Sequence, residues 1–170
     1  MTPPVALLAA TVLAVALVLV LRWLARPSPR PRRRDPGPNW IAVDGSNVMY
    51  WDAANPRIET VRAVTDDLRR RGFVPVVWFD ANAGHLTLGR WAGPDRLALK
   101  LGLPPAQVHV VGRGTQADPA IIAGAEAMGA HIVTNDRYRD WQAADPTLQL
   151  AGVLVSGGVR EGRVRLEFPR

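Results

Sequence analysis

Two hydrophobic patterns divide the chain. Residues 5–21, VALLAATVLAVALVLVL, form one unbroken apolar run in which Thr11 is the only polar side chain. From Trp40 onward, short apolar runs alternate with amphipathic stretches. Residues 40–44 (WIAVD) read as a buried strand, and residues 58–71 as a helix with Ile58, Val61, Val64 and Leu68 on one face and Gly72 as its stop. Residues 73–79 predict a second strand ending before Asp80, and residues 95–101 a helix halted by Pro104-Pro105. Residues 108–111 predict a third strand. A helix over 118–128 opens at Asp118-Pro119 and closes at Gly129, and a fourth strand over 131–134 ends in Asn135-Asp136. Residues 153–155 and 164–168 complete the pattern as a fifth strand and an edge strand, joined through Gly157-Gly158. Strands alternating with helices predict an α/β domain with a mainly parallel sheet flanked by helices.

The N-terminal run predicts a different environment. Its 17 residues span roughly 26 Å as a helix, and about 31 Å if carried past Arg22 to Ala25, which matches a bilayer's hydrocarbon core. Residues 1–25 therefore read as one transmembrane anchor. A cleaved signal peptide and a buried core helix are the competing readings; a signal peptide wants positive charge before the apolar run, whereas here the arginines follow it. Arg22, Arg26, Arg30, Arg32, Arg33 and Arg34 predict that the downstream side stays cytoplasmic. The expected location is thus the cell membrane, single-pass, with the globular part inside. Residues 26–39, RPSPRPRRRDPGPN, form a proline- and arginine-rich spacer with too few apolar side chains to pack a core. Residues 40–170 form the domain.

Charge changes the picture only when it is located. The net charge is +6, from 21 basic and 15 acidic residues. The six arginines before Asp35 account for all of that excess, so the remainder balances at fifteen of each sign. The domain's bulk charge is no argument for nucleic acid; the basic segment beside the anchor predicts contact with anionic lipid, with added phosphate affinity as a second use. There is no cysteine, and the three histidines are His85, His109 and His131. Thiolate chemistry and cysteine zinc sites are excluded, and a metal would have to be held by oxygen.

The acids supply such oxygens. Asp44 ends the first strand, Asp80 the second and Asp136 the fourth, while Asp118 begins the helix that leads into the fourth. In parallel sheets the functional cleft lies outside the carboxyl ends of the strands. Converging carboxylates repel one another unless a cation neutralises them, which predicts Mg²⁺ or Mn²⁺ on Asp44, Asp80, Asp118 and Asp136. Such a site activates water and stabilises charge on a phosphodiester. Each acid also has a plainer use: Asp44 in a turn, Asp118 and Asp136 as helix caps, and Asp140 as a solvated partner of Arg137 or Arg139.

In combination the motifs carry a resemblance. Asp44-Gly45-Ser46-Asn47-Val48 after an apolar strand, Ala117-Asp118-Pro119-Ala120-Ile121-Ile122 opening a helix, and residues 132–140 (IVTNDRYRD) are similar to the three ordered motifs of the NYN/PIN-like ribonucleases, nearest to the regnase-type group. The resemblance covers about residues 40–142. It implies a PIN-like fold and endonucleolytic cleavage of RNA. Asp44, Asp118 and Asp136 would be metal-site acids, Asn47 would orient substrate or a carboxylate, and Asp140 would be an outer acid, completing a catalytic set of Asp44, Asn47, Asp118, Asp136 and Asp140. Ser46, Arg113 and Asn135 would contact substrate, and Arg90 and Lys100 lie on segments that could reach phosphates. Trp78, Trp91 and Trp141 are candidates to stack on bases, but core packing is the expected use, particularly for Trp78 inside a strand. A homo-oligomer is left open.

The regnase pattern often has two adjacent acids at the helix start, where this chain has Ala117. That departure supports a rival reading, a catalytically weak RNA-binding or membrane-scaffold module. Phosphatases of the haloacid dehalogenase type also place an Asp at the end of a first strand, but they need a second acid two residues on, where Ser46 stands.

Overall fold

The computed structural model describes residues 37–145, 150 and 152–169. Among these no helix is long and apolar enough to cross a membrane; the predicted anchor, residues 1–25, lies outside them. The segment from Pro38 to the C-terminus forms one compact unit.

Six strands form one sheet: β1 (Trp40–Asp44), β2 (Val74–Phe79), β3 (Val108–Val110), β4 (His131–Val133), β5 (Leu154–Arg160) and β6 (Arg163–Glu167), in the order β3-β2-β1-β4-β5-β6. The first five run parallel, and β6 is antiparallel to β5. Their alternating side chains feed two cores. Ile41, Val43, Val77, Phe79, Val133 and Val155 face α2 (Ile58–Arg70) and α4 (Pro94–Leu101). Ala42, Val76, Trp78 and Ile132 face α5 (Asp118–Met128) and Tyr138. Burial on both faces explains why the central strands are continuously apolar rather than alternating. Pro75 is tolerated inside β2 because β3 begins its pairing only at Val77, leaving no strand to need the missing donor.

The shorter helices are α1 (Gly45–Val48), α3 (Ala83–Leu88) and α6 (Arg139–Ala144), with a single 3₁₀ turn at Pro105–Gln107. The pattern had not predicted α1 or α3. It had placed the last turn at Gly157-Gly158, but both glycines lie inside β5, which reaches Arg160, and the chain reverses at Glu161-Gly162. Both of those turn residues have positive φ, 51° and 71°. Strand order reverses on either side of β1, which lies between β2 and β4. The carboxyl ends of β1 and β4 therefore flank the switch point, where an open α/β sheet leaves a crevice.

Candidate functional site

Asp44 ends β1 at this crevice and is only 4% exposed. A buried carboxylate needs donors, and three converge on it. The backbone N–H of Asn47 donates to Oδ1 at 3.0 Å, and the Thr134 and Tyr138 hydroxyls donate to Oδ2 at 3.0 and 3.2 Å. Burial still wins, pushing the Asp44 carboxyl from its ordinary 3.8 up to about 6, with the Asp118 charge adding to the rise against the three hydrogen bonds. Burial, and then the Asp44 charge, also hold the Tyr138 hydroxyl well above its ordinary range, so it stays a donor.

The turn after Asp44 exists because residue 45 is glycine: a Cβ there would collide with the Phe79 ring. One turn of helix follows, and it aims two polar side chains outward. Ser46 Oγ accepts from the Asp80 N–H at 2.8 Å, tying the end of β2 to that of β1. Asn47 Oδ1 accepts from the Trp51 indole at 2.8 Å and from the Asn135 N–H at 3.0 Å, joining β1 to the loop after β4. Asp80 Oδ1 in turn accepts from the Ala117 N–H at 3.0 Å. Ala117 is buried in the apolar cluster, so a second acid at this position would point into the core of this chain rather than onto the rim. The charge of Asp80 is felt at Asp118 instead.

Asp118 is not the helix cap that its Asp-Pro sequence suggested. The cap position is Ala117, and Asp118 is the first helical residue, with no capping bond from the side chain of residue 117. Its Oδ2 accepts from the Trp141 indole at 3.0 Å. Burial raises the Asp118 pKa, Trp141 opposes the rise, and the charges of Asp136 and Asp80 add to it. Asp136 lies exposed beyond β4, its N–H bonded to Thr134 Oγ1 and its Oδ1 accepting from the Tyr138 N–H at 2.8 Å. That turn leaves Tyr138 with φ of 50°, an uncommon conformation for a residue of this size, which drives the ring into the core and its hydroxyl onto Asp44. Asp140, in the first turn of α6, lines one groove with Asp118, Asp136, Arg139 and Trp141.

The other candidates divide. Arg113 lines a neighbouring groove with Asp80, Asn82 and His85. Asn135 uses its amide on the backbone of Gly157, donating to the carbonyl at 2.9 Å and accepting from the N–H at 3.0 Å. Arg90 and Lys100 are exposed and line neither groove. Trp78 packs in the core and stacks on His109, as its strand position predicted; Trp91 is 59% exposed; Trp141 is engaged by Asp118. Thr134, Tyr138 and Trp51 were not singled out from the sequence. Thr134 and Tyr138 stand within the third motif, but nothing in sequence spacing shows that their hydroxyls return to a carboxylate 90 and 94 positions earlier.

Asp44, Asp80, Asp118 and Asp136 thus come from four segments to one rim, with Asp118 electrostatically coupled to each of the other three. None of them forms an ion pair among the described residues; the salt bridges there join Arg57 to Asp52 and link acids and arginines along α2. Uncompensated carboxylate oxygens fit a hard divalent cation. No group of three acidic or imidazole side chains among the described residues is drawn together tightly enough to enclose an ion.

No curated protein matches the chain. Its fold is similar to the crystal structure of nuclear proteinaceous RNase P 2 from A. thaliana, with a TM-score of 0.61 and 16% identity over 99% of this chain and 37% of that one. A second structure, of Arabidopsis thaliana nuclear protein-only RNase P 2, gives a TM-score of 0.59 and 16% identity over 96% and 35%. The chain spans little more than a third of those proteins, and at such identity the likeness is one of fold. Residues 38–151, which contain every acid of the rim, match the family described as Zc3h12a-like Ribonuclease NYN domain. The chain belongs to that family of ribonuclease domains.

Proposed function

We propose that this protein is a membrane-anchored, divalent-metal-dependent endoribonuclease whose active centre is the acid rim. The observation that carries the reading is the convergence of Asp44, Asp80, Asp118 and Asp136 without a cationic partner. Asp118 and Asp136 would be the main metal ligands, because each keeps oxygen lone pairs beyond the hydrogen bonds it accepts, from Trp141 and its own backbone at Asp118 and from the Tyr138 N–H at Asp136. Asp44 spends three of its roughly four acceptor sites on Asn47, Thr134 and Tyr138, and has room for one further bond. A bound Mg²⁺ or Mn²⁺ supplies Lewis acidity and a readily deprotonated water. The chain's own residues do the rest. Thr134 and Tyr138 fix the Asp44 carboxylate, Trp141 fixes Asp118, and Ser46 and Asn47 hold the β1, β2 and β4 ends in register. Asp140, exposed beside Asp136, is placed to take or return a proton through water.

Ala117 does not favour a catalytically weak scaffold, because in this fold the position is core and the charge of Asp80 is felt at Asp118. The test is cleavage of single-stranded and structured RNAs by the full chain. Cleavage should need Mg²⁺ or Mn²⁺, stop with a chelator and yield internal fragments. Asp136→Asn should lose about a thousandfold in rate, which corresponds to about 4 kcal/mol. Asp118→Asn should be nearly as severe, since asparagine keeps an oxygen for Trp141 and loses only the charge. RNA binding with no metal-dependent cleavage would establish the scaffold instead. The anchor and the cytoplasmic orientation are tested separately, by reporter fusions at the C-terminus; an exported and processed product would overturn both.

A further inference from the structure

The β5–β6 hairpin carries a charge pattern that the acid rim does not use. Val155, Gly157 and Val159 of β5 and Val164 and Leu166 of β6 point to the core side, where Val155, Val159, Val164 and Leu166 pack. The opposite face shows the cross-strand pairs Ser156 with Glu167, Gly158 with Arg165, and Arg160 with Arg163. Arg160, Arg163 and Arg165 are exposed and form no ion pair among the described residues. Like charges directly opposite one another destabilise a strand pair, so Arg160 against Arg163 is a cost that an anionic ligand would relieve.

The same face opens toward the acids. A concavity of about 330 Å³ bounded by Arg160, Arg165, Gly158 and the carboxylate of Glu167 shares Asn135 and Ser156 with a second of about 530 Å³, whose walls include Arg137 and Arg139. The second shares Asp136 and Arg139 with the groove that holds Asp118. Arginines thus line a continuous path from the hairpin tip to the rim, along which β5 advances about 13 Å between Ser156 and Arg160.

We propose that this face is a track for the phosphate backbone of an RNA strand, delivering it to the acid rim. The proposal rests on the ribonuclease reading above. The arginines contact phosphates, which position a strand without reading its sequence, and Gly158 and the Asn135–Gly157 pair keep the floor low enough for the backbone to pass. Anionic lipid shares the phosphate chemistry but would need no groove ending at Asp136, so the continuity favours RNA.

The test uses the full chain, a fluorescent 12-nucleotide single-stranded RNA, and a chelator to prevent turnover, with affinity measured against salt concentration. The triple variant Arg160→Gln/Arg163→Gln/Arg165→Gln should bind about a hundredfold more weakly at 0.1 M salt, and its log-affinity slope should fall by about 2, near 0.7 for each lost phosphate contact. With metal restored, the loss should fall mainly on KM. Glu167→Gln, which removes the acid among the described cross-strand pairs of this face, should tighten binding; it moves affinity the opposite way and guards against a triple variant that merely folds poorly. Unchanged affinity and slope in the triple variant and in Glu167→Gln would overturn the track. Loss of binding to phosphatidylserine vesicles with RNA affinity intact would also overturn it, in favour of lipid. A wild-type chain that binds RNA through these arginines but cuts none would sustain the track and overturn the nuclease reading.

Discussion

Asp44 is well supplied with donors and yet costs the fold stability. Its folded pKa of about 6 stands above the ordinary 3.8, so the protonated form is the one the fold favours. The corresponding stabilisation is complete below pH 3.8 and is lost as the pH rises through 6. The gap corresponds to about 3 kcal/mol at neutral pH, and Asp118, shifted the same way, adds to it. Asp44→Asn should therefore raise the melting temperature of the metal-free protein by several degrees at pH 7.5. That advantage should shrink to nothing by pH 4, as thermal unfolding across the pH range would show; a pH-independent difference would mean that packing, not charge, sets it. Trp141→Phe probes the neighbouring carboxylate. It keeps a ring in the half-buried slot but removes the N–H that holds Asp118, and should weaken Mn²⁺ binding about tenfold in a metal titration while barely moving the melting temperature. The acids themselves could be picked out in the sequence because each follows an apolar strand or opens a helix. Their donors could not: Thr134 and Tyr138 look like ordinary strand and turn residues, and Trp141 like a ring for stacking, until the fold brings them to Asp44 and Asp118.

Elements were legible where local chemistry agrees with the tertiary fold. The helix over 118–128 declares itself by Asp-Pro at its start and Gly129 at its end, and the structure gives it the same bounds. Gly157-Gly158 shows the opposite case. The pair reads as a turn, but Gly157 is small for another reason: its peptide pairs with the Asn135 amide, and a Cβ would strike the Arg165 carbonyl. A glycine inside a strand often marks such a close approach, which local patterning does not reveal. Gly45 is a second example, this time at the site. Gly45→Ala must push back the Phe79 ring in a dense core, so it should cost about 1–3 kcal/mol in denaturant unfolding. Any displacement of α1 moves Asn47 and Ser46 with it, and activity should fall by more than the loss of folded protein accounts for.

At the scale of the molecule, the alternation of strands and helices indicated a parallel sheet, but the order β3-β2-β1-β4-β5-β6 could not be read, because strand order depends on which faces bury each other. That order matters functionally: it sets Asp44 and Asp136 on either side of the switch point. It also gives meaning to the distribution of charge. The unit from Pro38 onward holds all the rim acids and the hairpin arginines, whereas the arginines at 30, 32, 33 and 34 precede it. If those four serve topology and anionic lipid, as their place beside the predicted anchor implies, each contributes about 1 kcal/mol to membrane contact. Replacing Arg30, Arg32, Arg33 and Arg34 with glutamine should then shift the protein's orientation or membrane retention in fractionated cells. The purified variant should still cut a short RNA with Mg²⁺ at within about twofold of the wild-type rate, since none of these side chains belongs to the unit whose carboxylates are proposed to bear the chemistry. A drop of tenfold or more in turnover, with lipid retention unchanged, would show that the spacer reaches substrate and would make it part of the RNA site.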